Sequence, residues 1–282
     1  MKTRQFQQLA NLPRPTRDAL VVEGLLAIEA NVAVIADEME ACIKVDAFRA
    51  DRMLHNLARE EAGKFLVLID AYRSPGVDQA VLFRQFKRAG NHLSKLVYAQ
   101  MADYSIASQA ELLSAVSNHR QQLYLDGPND YDFVFRNQLL MERENALYVD
   151  LVDSEGTLKW WEPYDLKLSY SAPTCARLVQ AIVEAGFASV NGLQVLSTAW
   201  SGFDPKENSH FSSWRARTVE ALSLLQAPDV KEEDWLRITR FVADRWPMPM
   251  VELEVEQEPV ESETLLAERE AQWEAKMRRE FG

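Results

Sequence analysis

Three long stretches of helical spacing, joined by breaks of only a few residues, leave residues 17–104 few ways to fold. Residues 17–43, 47–72 and 77–104 each read as a helix. Pro15-Thr16 starts the first, Asp46 caps the second, and Ser74-Pro75-Gly76 ends it. Helices of this length with short connections pack as antiparallel neighbours, so a helical bundle is expected.

The second helix carries an apolar stripe of Leu54, Leu57, Ala58, Phe65, Leu68 and Ile69. Continuing that spacing through its gap lands on Glu61, with Lys64 at i+3 and Glu60 reaching Lys64 at i+4. An ionised carboxylate facing a core is costly unless it is paired or employed, which points to a polar site inside the bundle. On the third helix Arg88, His92 and Lys95 fall at i, i+4 and i+7, with Arg84 and Asn91 on the flank. Arg, His and Lys together suit a phosphate: Arg clamps it, Lys adds charge and His moves a proton near neutral pH. A solvated basic face explains the same spacing. If the second and third helices are neighbours, Glu61 and Lys64 approach His92 and Lys95.

Further along, residues 109–124 and 131–144 read as helices around a turn at 126–129. The period then changes: 147–152 and 158–161 read as a β-hairpin turning at 153–156. Helices resume over 172–188, 192–200, 213–225 and 232–246, and Trp246-Pro247-Met248-Pro249 breaks the chain. An extended stretch, 250–255, leads through an acidic linker to a charged helix over 263–279. The expected division is 1–165 bundle with hairpin, 166–249 helical extension packed on it, and 250–282 acidic linker with terminal helix.

The net charge of −12 argues against a broad nucleic-acid-binding coat, although a local basic patch remains open over 16–104. No run approaches the roughly 20 apolar residues of a membrane span, and residues 1–8 lack a secretion-signal core. Cys42 and Cys175 stand far apart with no metal spacing, which fits two half-buried thiols in a reducing cytosol. A cytoplasmic protein with no membrane contact is the expectation.

The residues "LAREEAGK" ending at Lys64, "NHLSK" at 91–95 and "RENALYVDLVDSEG" at 143–156, in that order, resemble the abortive-infection V (AbiV) proteins, a branch of the HEPN helical superfamily. The resemblance covers about residues 17–165. It implies a mainly α fold: a HEPN-like antiparallel bundle with one β-hairpin and a helical C-terminal extension. It further implies bacterial anti-phage defence by growth or translation arrest, and a homodimeric ribonuclease with RNA as substrate. A phage or host protein would act as trigger or regulator. Glu60, Glu61, Gly63 and Lys64 match the first motif, His92 and Lys95 the second, Tyr148 and Asp150 the third. The chain departs from the HEPN nuclease pattern, because Arg88 lies too close to His92 in sequence and Arg84 too far.

The mechanism this suggests is metal-independent RNA cleavage with no cofactor. His92 acts as general acid or base, Arg88 and Lys95 stabilise charge on phosphorus, and Glu61 orients Lys64 or the imidazole. Arg84, Asn91, Glu60, Tyr148 and Asp150 are candidate substrate contacts. Tyr148 and Asp150 alternate on a strand and either close the site or pin the hairpin. The rival reading is a non-catalytic interaction protein, with Glu61, Lys64, His92 and Lys95 as a buried structural network. Glu207-x-x-His210 finds no second ligand pair, and the tryptophans 160, 161, 200, 214, 235 and 246 read as core and interface aromatics.

Overall fold

The computed structural model describes residues 5–123, 136–154, 157–161, 170–204, 207–225, 231–258 and 262–281. A short 3-10 helix, Phe6–Asn11, precedes α1, Arg14–Lys44, which Pro15 opens in its first turn. The turn after α1 holds Asp46 at a φ of 56°, so Asp46 cannot cap α2; Ala47 takes that position without a side-chain bond. Next come α2, Phe48–Asp70; α3, Gln79–Arg88; α4, His92–Met101; and α5, Gln109–Arg120.

Two strand pairs and α6 follow. The short strands β1, Gln122–Leu123, and β2, Arg136–Asn137, pair antiparallel. Asn137 also caps α6, Gln138–Leu147, by accepting from the amides of Leu139 and Leu140. Strands β3, Asp150–Ser154, and β4, Thr157–Trp161, pair antiparallel with Asp150 opposite Trp161. The chain continues through α7, Thr174–Glu184; α8, Val190–Ala199; α9, Phe211–Leu224; α10, Glu232–Arg245; and α11, Ser262–Phe281. The molecule is mainly helical. The turn expected at 126–129, the first residues of the helix expected over 131–144, and most of the boundary expected near 165 lie outside the described residues.

Helix α2 is the axis of the fold. It packs against α1, α3, α4, α6 and α7, and every side chain from Phe65 to Arg73 is buried. One apolar core runs from Val21 and Leu25 on α1 through Phe65 and Leu96 to Cys175, Trp214 and Val242, so the first and second halves of the chain share it.

Three expectations need correction here. The single helix over 77–104 is two, because Asn91 turns extended and its side chain accepts from the Ser94 amide at 2.9 Å. An N-cap next to Gly90 starts a new helix more cheaply than glycine continues the old one. The strand expected from 147 begins at Asp150, since Leu147 still belongs to α6. Helix α1 is long and apolar enough to cross a membrane, although Glu23 and Glu29 interrupt its apolar run. Its inward face, Val21, Leu25, Ile28, Val32, Ile35 and Met39, is buried in the protein.

Candidate functional site

Where α2 crosses α4, Gly63 lets the helices touch backbone to backbone. A Cβ there would overlap the Lys95 carbonyl oxygen. That approach sets Glu60, one turn before Gly63, against the first turn of α4. Glu60 Oε2 accepts from Lys95 Nζ at 2.7 Å and pairs with His92 Nδ1 at 2.7 Å. Its Oε1 accepts from Arg143 Nε of α6 at 2.5 Å. Glu60 is 8% exposed. Burial pushes its carboxyl upward, but Lys95 and then His92 outweigh burial and hold it at about 2. Lys95, also buried, is pulled below the ordinary lysine value by burial, with Glu60 opposing. His92 is different: its side chain is 41% exposed. With Nδ1 committed to Glu60, Nε2 is the nitrogen left for chemistry.

The neighbouring residues repeat the pairing in reverse. Arg59 bonds Gln100 of α4 and lies 3.9 Å from Glu142, beside Arg143 on α6. Arg59-Glu60 on α2 therefore meets Glu142-Arg143 on α6 as a crossed pair of charges. Glu61, which the sequence reading placed inward, pairs with Lys64 one turn on, and both are partly exposed. They still act electrostatically on Lys95. The acid and the imidazole do share a crevice, but the acid is Glu60 and not Glu61. The apolar stripe misled because α2 is enclosed on several sides, so more than one of its faces is inward.

Arg88 does not join His92. The α3–α4 break turns it away, and it is 1% exposed among the backbone carbonyls of Val251 (2.9 Å) and Leu253 (2.6 Å), with Glu256 at 2.9 Å. Its placement as a catalytic group is therefore corrected to a structural one. Arg84 lies 3.9 Å from Glu254, on the same C-terminal segment. Asn91 serves as the α4 cap, which accounts for it without a substrate. Tyr148 is exposed beyond the end of α6, and the side-chain direction expected of Asp150 lies outside what the structure describes. Sequence reasoning missed Arg143 and Arg59 as partners. The only signal was the complementary order of Arg-Glu at 59–60 and Glu-Arg at 142–143.

A second polar cluster ties down residues 250–256. Asp70 accepts from Tyr98 Oη at 2.9 Å, from Arg73 at 3.2 Å and from the Met250 amide at 2.7 Å. Burial raises the Asp70 carboxyl despite Arg73 beside it. Arg73 stands between Trp200 and Trp246, its guanidinium 4.5 and 4.1 Å from the two rings. Trp200, Trp214 and Trp246 are core residues as expected, whereas Trp160 is exposed. Cys175 is fully buried and its thiol is pushed up to about 12 by burial, so it is less exposed than the half-buried state expected of it. Among the described residues no three His, Cys, Asp or Glu side chains gather as a metal-ligand group.

Comparison with protein-family models, with curated proteins and with solved structures gave no match.

Proposed function

We propose that the Glu60–His92 pair is the acid–base element of a metal-independent ribonuclease. The observation that carries this reading is a part-exposed imidazole whose Nδ1 is held by a buried, ionised carboxylate. Such an arrangement fixes the tautomer and aims Nε2 outward as a base. His92 Nε2 takes the proton of a ribose 2′-hydroxyl. The 2′-oxygen then bonds to phosphorus as the bond to the 5′-oxygen breaks, and the departing oxygen takes a proton from water. The products are a 2′,3′-cyclic phosphate and a 5′-hydroxyl. Arg143 and Lys64, both part-exposed, replace Arg88 as the cations that stabilise charge on phosphorus. Lys95 is too enclosed to meet substrate and acts as a positioning residue through Glu60.

The resemblance to AbiV proteins supplies the biological setting: a HEPN-like bundle, working as a homodimer in anti-phage defence, whose RNA cleavage arrests growth. The test is a single-stranded oligoribonucleotide incubated with purified protein in EDTA, beside the same oligonucleotide with one 2′-deoxy position. Cleavage should persist in EDTA and vanish at the deoxy position. Cutting at the deoxy position would rule out this chemistry.

A second reading has its own support. Glu60 already accepts from three partners and Lys95 is almost fully enclosed, which suits a brace as well as a catalyst. In that case the protein is a non-catalytic interaction module of the same defence response, binding a host or phage protein. A folded His92→Ala protein would then keep its effect on growth.

A further inference from the structure

A cleft of about 1030 Å³ opens between α7, α10, the start of α9 and residues 105–107. Four arginines line it: Arg177 from α7 and Arg237, Arg240 and Arg245 from α10. Along α10, Arg240 stands at i+3 and Phe241 at i+4 from Arg237, with Arg245 a further turn on, while Ile238, Val242 and Ala243 are buried. The stripe was not singled out from the sequence because it looks like an ordinary solvated helix face.

The acids in the wall are outnumbered by its arginines. Two acids, Glu233 and Asp244, stand in the wall against four arginines, and Asp244 is held at 2.7 Å by Arg215, which does not line the cleft. Arg237 pairs with Asp234 at 3.2 Å, and Arg245 donates to the Asp103 carbonyl at 3.3 Å. Among the described residues Arg177 and Arg240 have no carboxylate partner. The Arg177 guanidinium lies 5.2 Å from the Phe241 ring centroid. The cleft therefore gathers cations beside the aromatic surface of Phe211 and Phe241, on a chain whose net charge is −12. All four cations are arginines, whose planar fork suits phosphate oxygens and stacks on rings. The volume is at the upper end for a small-molecule site, roughly 300–1000 Å³.

We propose that this cleft binds a nucleoside phosphate, with Arg177 and Arg240 on the phosphate and the two phenylalanines against the base. It is separate from the Glu60–His92 pair and stands whether or not that pair cleaves RNA. The test is calorimetric titration of the full chain with ATP, with adenosine and inorganic phosphate as parallel arms. ATP should bind in the micromolar range, with adenosine and phosphate each weaker by about tenfold or more. Arg177→Ala and Arg240→Ala should each weaken ATP binding by about tenfold, the effect of losing one charge-assisted contact. Both side chains are exposed, so unchanged melting of the variants confirms that folding is intact. No ATP binding up to millimolar concentration, or an Arg177→Ala/Arg240→Ala protein that binds like wild type, overturns the proposal. Phosphate binding as tightly as ATP overturns the nucleoside assignment.

Discussion

At the scale of single residues, the decisive contrast is between Glu60 and Glu61. Both are carboxylates on α2, yet one gathers Lys95, Arg143 and the His92 imidazole in a nearly closed space and the other pairs along its own helix. Removing the first should be far costlier. Glu60→Ala leaves Lys95 buried without its partner and should destabilise the protein by roughly 3–5 kcal/mol in urea unfolding, while Glu61→Ala costs about 1 kcal/mol or less. Equal losses for the two variants would contradict the assignment of the buried acid. Acid sensitivity has a separate source. Burial, with Arg59 second, lowers His55 from 6.5 to about 4, so the unfolded chain binds the extra proton first. That stabilising difference is complete above pH 6.5 and lost as pH falls towards 4. Glu60, held at about 2, adds a further loss only below about pH 4.5, its ordinary value. His55→Phe, retaining the stack on Tyr170, should flatten the decline of stability between pH 6.5 and 4. An unchanged slope would show that His55 is not its origin.

At the scale of elements, the α2–α4 crossing matters more than any one pair, because it sets where Glu60 can reach. Gly63→Ala would force the helices apart at the Lys95 carbonyl, with an expected cost of about 1–3 kcal/mol and loss of the His92–Glu60 contact. A fully stable Gly63→Ala protein would mean the crossing is looser than described. Much of this level was legible in the sequence. Helical spacing gave α1 and α2 nearly in full, and the neighbouring of α2 with the second half of the 77–104 stretch followed from short connections. What escaped was set by local competition. Asn91 as a cap outweighed a continuous apolar stripe and carried Arg88 away from His92. Asp46 looked like a cap but sits in a left-handed turn. The clasp between α2 and α6 joins residues 83 apart, a distance over which periodicity carries no information.

For the whole molecule, the C-terminal segment expected as an acidic linker is packed into the fold over residues 250–256. Glu254 and Glu256 meet Arg84 and Arg88, as a detachable acidic cover over a basic face would. Yet Met250, Val251 and Val255 are buried, and the segment supplies carbonyls to Arg88 and an amide to Asp70. Deleting 250–282 should therefore lower the melting temperature and expose buried charge; a truncated protein as stable as the full chain would show that the segment is detachable. The shared core likewise makes the second half of the chain part of what holds the Glu60 site in place. The claim on which the functional account rests is that His92 performs chemistry and not merely packing. It is tested by incubating 5′-labelled RNA with equal amounts of folded wild-type and His92→Ala protein. Wild type should cleave, and the variant should lose at least about a hundredfold, at unchanged melting temperature. Equal cleavage by both proteins, or none by either, would contradict it.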